Sequence, residues 1–344
     1  MPEPTLRVIQ WSVGNIGRQS LRGVIAHPRM TLVGLYVGSP DKIGRDAGDL
    51  CGLPDTGIIA TSAIDDILKL EADCVLYMRQ GCDYDEVCAL LASGKNVVTT
   101  RSEFHHPSSM DPDILARIEA ACAAGGTSIY STGSSPGFVT EALVLPLLSL
   151  QRRLDCLTID EFADVSQRDS PAMIFEVMGF GAAPGPMDDA KLVHVRDSFL
   201  ASMNQVADAI GLPFETTSVE GEVAVVSRDT PIAAGILNAG TVAAQRITIN
   251  GLHDGKPVLR FRAHWYCSSE IDRDWTLRET GWHISVAGDT PMEVAITFPV
   301  AMEDYAAVMP GYTAHRAVNA VAAVCVAAPG IRTTIDLPQV VATF

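Results

Sequence analysis

Two short stretches carry residues whose type and spacing suit chemistry. In the first, Trp11-Ser12-Val13-Gly14-Asn15-Ile16-Gly17, two glycines stand three apart. They follow an apolar run, Leu6 to Val13, and open a helix-like stretch, Ile16 to His27. A glycine at 14 lets a ligand approach the backbone, and a glycine at 17 lets helix and strand pack closely. The free N–H groups of the helix start carry a partial positive charge suited to phosphate. The spacing is that of the Gly-x-Gly-x-x-Gly dinucleotide fingerprint, with Ser12 where the first glycine would stand. Ser12, Gly14, Asn15, Ile16 and Gly17 are therefore expected to bind a dinucleotide. An ordinary tight strand–helix turn is the competing reading.

The second strand, LVGLYV, ends in Gly38-Ser39-Pro40-Asp41-Lys42. No acid stands at its tip to hold a ribose 2′-hydroxyl, whereas Ser39 and Lys42 suit a 2′-phosphate. The expected cofactor is NADP, with NAD as the alternative. A solvated turn competes with this reading, and Asp41 argues mildly against it.

The other chemical stretch, Arg101-Ser102-Glu103-Phe104-His105-His106, follows the apolar run Asn96 to Thr100. Ligands of open parallel sheets bind beyond the carboxyl ends of the strands. Two further strand ends belong to the same cleft: Met78-Arg79-Gln80-Gly81, and Thr132-Gly133-Ser134-Ser135-Pro136-Gly137-Phe138. Glu103 is the candidate catalytic residue. A carboxylate there can stabilise a cationic iminium or exchange a proton with an amine or water. A plain surface glutamate is the alternative in a chain with 41 acidic residues. Met78, Arg79, Thr100, Arg101, Pro136 and Gly137 are the expected cofactor contacts at these ends, with Phe138 walling the site. Met173, Phe175 and Met178 are expected to line an apolar substrate pocket, although the same residues also suit plain core. No metal is expected. His105 and His106 are adjacent and point in different directions, and no helical His-x-x-x-His pair exists. The absence of a Gly-x-Ser-x-Gly elbow argues against a serine hydrolase.

The elements that must position these residues alternate over the first 130 residues. Apolar runs fall at 6–13, 31–37, 73–78, 96–100 and 128–131, with a weak one at 58–61. Helix-like stretches at 16–27, 63–70, 83–93 and 111–124 separate them. This alternation predicts a parallel, doubly wound sheet covered on both faces. From Arg153 the rhythm changes. A strand at 154–162 and a long helix at 188–210 precede strand-like runs at 215–227, 240–250, 258–266, 281–287 and 292–298. These predict an α+β domain with a mainly antiparallel sheet. Residues 302–328 read as helix, broken near Pro310-Gly311. The expected division is 1–135 for a dinucleotide-binding Rossmann domain and 136–305 for a substrate-binding and dimerisation domain. Residues 306–344 then form a helix and tail packing back on the first domain.

Composition bounds the function. The chain has 344 residues, 47% hydrophobic and 19% charged, enough for two packed cores. A formal net charge of −16 repels phosphate backbones and anionic lipid, so neither nucleic acid nor membrane is an expected partner. None of the eight cysteines forms a Cys-x-x-Cys pair. They read as small buried hydrophobes in a reducing compartment. Met1-Pro2-Glu3-Pro4 shows no signal segment, and the Ala-rich run 317–330 is shorter than a membrane span. The expectation is a cytoplasmic protein.

WSVGNIGRQSLRGV at 11–24, VVTTRSEF at 97–104 and GSSPGF at 133–138 together resemble the dihydrodipicolinate reductase superfamily. Within it, the chain is most similar to the 2,4-diaminopentanoate dehydrogenase-like group and the native amine dehydrogenases. The resemblance implies that Glu103 is the catalytic carboxylate, assisting ammonia addition and holding an iminium. It also implies a homodimer built through the sheet of the second domain. True dihydrodipicolinate reductases carry a His-His-x-x-Lys motif where this chain reads Glu161-Phe-Ala-Asp-Val-Ser, which argues against a lysine-biosynthesis role. The function expected is NAD(P)-dependent reductive amination of a small ketone or aldehyde with ammonia, and the reverse. Two rivals are another imine or carbonyl reductase on this scaffold and a non-catalytic NADP-binding sensor.

Overall fold

The computed structural model describes residues 5–344. Met1-Pro2-Glu3-Pro4, on which the reading of no signal segment rests, lie outside the described residues. The chain forms two compact units, one of residues up to Ala142 together with Ala307–Phe344, the other Leu143–Ala306.

In the first unit β1 (Leu6–Trp11) turns into α1 (Asn15–Ala26) and returns as β2 (Met30–Tyr36). Two short helices follow, α2 (Ala47–Cys51) and α3 (Ile64–Lys69). Then come β3 (Cys74–Tyr77), α4 (Tyr84–Ala92), β4 (Asn96–Thr99), α5 (Pro112–Gly125) and β5 (Ser128–Ser131). Asp46, Asp83 and Asp111 cap α2, α4 and α5 by accepting backbone N–H groups, as short acidic side chains do at helix starts. Gly52 and Gly126, both left-handed, end α2 and α5. The weak run at 58–61 forms only isolated bridges, Thr61 to Tyr36 and Ile59 to Asp46. The amides of Thr56 and Gly57 are instead taken by the Asp46 carboxylate, which holds the segment as a loop.

The second unit opens with α6 (Val144–Leu148) and β6 (Leu154–Asp164). The long helix α7 (Asp189–Ala209) precedes β7 (Thr216–Val225), β8 (Thr230–Ile232), β9 (Gly235–Leu237), β10 (Val242–His253), β11 (Lys256–Tyr266), β12 (Gly281–Gly288) and β13 (Met292–Thr297). Its six-stranded sheet has the order β13-β12-β6-β11-β10-β7. All neighbours are antiparallel except β6 and β11. Val195, Phe199, Met203 and Val206 recur at helical spacing and form the buried face of α7. Phe199 stacks on Phe261 of β11 with ring centres 3.9 Å apart, so α7 covers one face of this sheet.

The chain then enters α8 (Tyr305–Cys325) and β14 (Gly330–Arg332). The helix is not broken at Pro310-Gly311, since Pro310 sits inside it. A proline near a helix start removes one hydrogen bond and leaves the later turns intact. Strand β14 was not legible in the sequence, because three residues after Pro329 carry no periodicity. It pairs in parallel with β5 and completes the sheet order β14-β5-β4-β3-β1-β2, all parallel. Alternate residues of β1 serve two cores. Val8 packs with Leu21, Val24 and the α8 residues Ala317, Val321 and Val324, whereas Ile9 and Trp11 pack with Val75, Leu90 and Ile118. The strand order reverses beside β1, so the crevice for a ligand opens where β1 and β3 end. No helix among the described residues is long and apolar enough to cross a membrane.

Candidate active site

The glycine loop is built as its residue types require. Ser12 takes the position of the missing first glycine with φ +73°, a left-handed conformation that costs a non-glycine residue energy. The buried Gln10 side chain supports it. Its Nε2 donates to the Ser12 carbonyl at 2.9 Å, and its Oε1 accepts from Ser20 Oγ at 2.8 Å. A Cβ on Gly17 would stand 2.2 Å from that same Ser12 carbonyl oxygen, so only glycine lets α1 approach the loop. At Gly14 a Cβ would meet nothing within 4 Å. Gly14 and Asn15 are exposed and Ile16 is half-buried against the core. The first turn of α1 has no side-chain cap and no acidic residue, leaving its amides open to an anion. Lys42 reaches back over the loop, its Nζ donating to the Val13 carbonyl at 2.8 Å. Ser39 is exposed at the start of the turn Pro40–Lys42.

The strand ends lie in a row beside this loop. The Met78 amide donates to the Trp11 carbonyl at 3.0 Å, and the Thr132 amide donates to the Thr99 carbonyl at 2.9 Å. Thr100 Oγ1 lies 3.6 Å from Met78 Sδ. Arg79 pairs with two carboxylates, its Nη1 2.6 Å from Glu86 and 3.5 Å from Asp83. The backbone of Arg101 is clamped on both sides: its amide donates to Thr99 Oγ1 at 3.2 Å and its carbonyl accepts from Ser131 Oγ at 2.6 Å.

From that anchor the turn Ser102–Phe104 carries Glu103. Phe104 is fully buried and meets Tyr84 edge-on at 6.3 Å, which pins the turn to the core. Glu103 Oε1 accepts from Arg101 Nη2 at 2.8 Å, while Oε2 is buried without a hydrogen-bond partner. An unpaired carboxylate oxygen out of water is costly unless a ligand completes it. Cys82 and Tyr84 stand near this carboxylate. Burial pushes the Cys82 thiol up to about 12, with the charge of Glu103 adding to the effect. Tyr84 is raised by burial first, then by Cys82 and Glu103.

After β5 the segment Ser134–Ala142 is a wide helical turn interrupted at Ser135, Pro136 and Gly137, the last with φ +118°. The Gly137 amide is held by Thr140 Oγ1 at 2.8 Å and the Phe138 amide by the Gly133 carbonyl at 2.8 Å. The amides of Gly137 and Phe138 are therefore already satisfied. The free polar groups here are instead the buried hydroxyls of Thr132 and Ser135. The half-buried Phe138 ring lies 5.8 Å below the Arg316 guanidinium of α8. Open space over Gly14, uncapped amides on α1 and unpartnered hydroxyls at Thr132 and Ser135 all fit a dinucleotide.

Met173, Phe175 and Met178 belong to the second unit. Met173 is exposed; Phe175 fills the space over Gly181 and Gly235 and, with Met178, packs against the core around Ile174 and Phe180. Among the described residues no group of three or more His, Cys, Asp or Glu could hold a metal ion.

Several residues of the site were not legible in the sequence. Gln10 looked like one more strand residue, and its role appears only when its side chain meets Ser12 and Ser20. Cys82, Tyr84, Thr132 and Ser135 carry no motif of their own, although the last two fall in a strand end that the sequence marks.

Residues 138–344 match the family model described as the 2,4-diaminopentanoate dehydrogenase C-terminal domain. The chain is 27% identical to an amine dehydrogenase of Streptomyces virginiae, over 97% of this chain and 96% of that one. It is 24% identical to the 2,4-diaminopentanoate dehydrogenase of Acetoanaerobium sticklandii, over 97% and 93% of the two chains. The solved structure of an amine dehydrogenase from Mycobacterium smegmatis superposes with a TM-score of 0.76 at 18% identity, covering 98% of this chain and 97% of that one.

Proposed function

Since the chain belongs to the family of the 2,4-diaminopentanoate dehydrogenase C-terminal domain, we propose that it is an NAD(P)-dependent amine dehydrogenase. The reaction joins a small ketone or aldehyde, ammonia, reduced nicotinamide and a proton to give amine, water and oxidised nicotinamide, and runs in reverse as oxidative deamination. The observation that carries this reading is Glu103, with one oxygen tethered to Arg101 and the other buried without a partner.

The bound nicotinamide supplies or accepts the hydride, and the protein supplies placement and charge. Ammonia addition to a carbonyl needs a group that accepts a proton from the attacking nitrogen and gives it to the departing water. In this reading Glu103 Oε2 does both, and its lack of a partner within the protein supports that role. The iminium that follows carries a positive charge, which the same carboxylate stabilises. Arg101 keeps the carboxylate from swinging, so less rotamer freedom is lost in the transition state. The α1 amides hold the pyrophosphate, Lys42 and Ser39 favour the 2′-phosphate of NADP, and Thr132 and Ser135 offer hydroxyls to the carboxamide. A tighter Kd for NADH than for NADPH would contradict the NADP preference.

The test is oxidation of NADPH and NADH by cyclohexanone or a short aldehyde, with and without concentrated ammonium, with amine product identified. Oxidation that needs ammonium and yields the amine supports the reading. Oxidation without ammonium, yielding alcohol, assigns a carbonyl reductase instead, and no oxidation with any carbonyl leaves a binding protein.

A further inference from the structure

Two residues beyond Glu103, His105 lies against Glu141. Its Nδ1 stands 2.6 Å from Glu141 Oε1, and both side chains are 1% exposed. The approach is close, but its geometry is not that of a hydrogen bond. The other oxygen of Glu141 accepts from the Thr334 hydroxyl, which also meets Tyr130 Oη at 3.2 Å. Burying a histidine and a glutamate this completely is unfavourable, and an apolar pair of the same size would pack with less penalty.

What it joins is specific. His105 closes the turn that carries Glu103, its amide donating to the Ser102 carbonyl at 3.4 Å. Glu141 stands at the far end of the interrupted turn Ser134–Ala142, three residues past Phe138. Thr334 comes from the segment just after β14, at the opposite end of the chain.

We propose that His105 and Glu141 are positioning residues for Glu103, a buried pair that locks the Glu103 turn to the Phe138 turn and to the C-terminal tail through Thr334. This rests on the reading of Glu103 as the reacting carboxylate. The pair touches no reacting atom and acts by holding the Glu103 backbone in one place. A carboxylate displaced by a fraction of an ångström loses proton-transfer efficiency far more than it loses substrate binding.

The experiment uses the full-length protein with its cofactor and compares wild type with Glu141→Gln, His105→Leu, His105→Gln and Glu103→Gln. Ammonium-dependent kcat and KM are measured well below each unfolding midpoint, together with hydrogen exchange of the peptide 101–106. Glu141→Gln keeps the shape and removes the charge. It is expected to lower kcat at least tenfold with KM for the carbonyl within threefold, and to speed exchange of 101–106. His105→Leu is expected to do the same, and His105→Gln, which restores a polar side chain against Glu141, to recover at least a third of the lost kcat. A folded Glu141→Gln protein with kcat within twofold of wild type and unchanged exchange overturns the proposal. A Glu103→Gln protein as active as wild type overturns the underlying reading of Glu103, while the exchange data still decide whether the pair locks the turn.

Discussion

At the scale of residues, the proposed chemistry depends on one carboxylate and what restrains it. In the sequence, Glu103 stands out by its position three residues past a strand end and little by its type. The structure adds the Arg101 tether and the unpartnered oxygen. Arg101→Gln is therefore expected to lower ammonium-dependent kcat by about tenfold, the equivalent of ~1.4 kcal/mol for one charge-assisted hydrogen bond, with little change in KM. Steady-state kinetics on the purified variant check this, and an equal fall in kcat/KM for every substrate through KM alone would contradict it. The neighbours of Glu103 were hidden in the sequence for a physical reason. Cys82 lies in the loop after β3 and Tyr84 opens α4, and their closeness to Glu103 depends on which strands lie side by side. Arg79 stands 2.6 Å from Glu86, a pairing that is likewise invisible without coordinates.

At the scale of elements, the strand–turn–helix at residues 6–26 was the most legible part of the chain, because each glycine has a separate job. Gly17→Ala places a Cβ against the Ser12 carbonyl and is expected to destabilise the protein by ~1–3 kcal/mol. Gly14→Ala meets open space, so its stability is expected to stay within ~0.5 kcal/mol of wild type. Its cofactor Kd is nevertheless expected to rise at least tenfold, because the methyl group occupies the approach of the pyrophosphate. Thermal unfolding and cofactor titration of both variants separate the two roles; a Gly14→Ala protein with unchanged Kd would contradict the assignment. The sheet of the second unit carries a pH-sensitive cluster. Burial pushes the Asp160 carboxyl up, but hydrogen bonds from His264 and from the Arg262 guanidinium outweigh it and hold it below the ordinary carboxylate range. A carboxyl depressed in the folded state stabilises above its unfolded value, near ~4, and that contribution is lost as pH falls through the folded value. Asp160→Asn is expected to cost about 3 kcal/mol at pH 7 and to flatten the acid loss of stability. Urea unfolding at pH 7 and pH 3 measures both, and an undiminished acid loss in the variant would count against this.

At the scale of the whole molecule, the change of rhythm near residue 150 distinguished two kinds of sheet, a parallel one and then a mainly antiparallel one. What periodicity could not reveal is that the chain ends by completing the sheet with which it begins. Strand β14 is three residues long; it pairs with β5, and its Ile331 packs with Ile118 and Cys122 of α5. Hydrogen exchange in mild denaturant is expected to release β14 together with β1–β5, and β6–β13 as a separate set. Exchange of Gly330–Arg332 in step with β12 and β13 would contradict this division. The central claim is that Glu103 performs the proton transfer of an ammonium-dependent reaction, and the most direct test is kcat for Glu103→Gln beside its cofactor Kd. A fall of ~10²-fold or more in kcat is expected, with Kd within threefold of wild type. A variant that keeps kcat within twofold would contradict it.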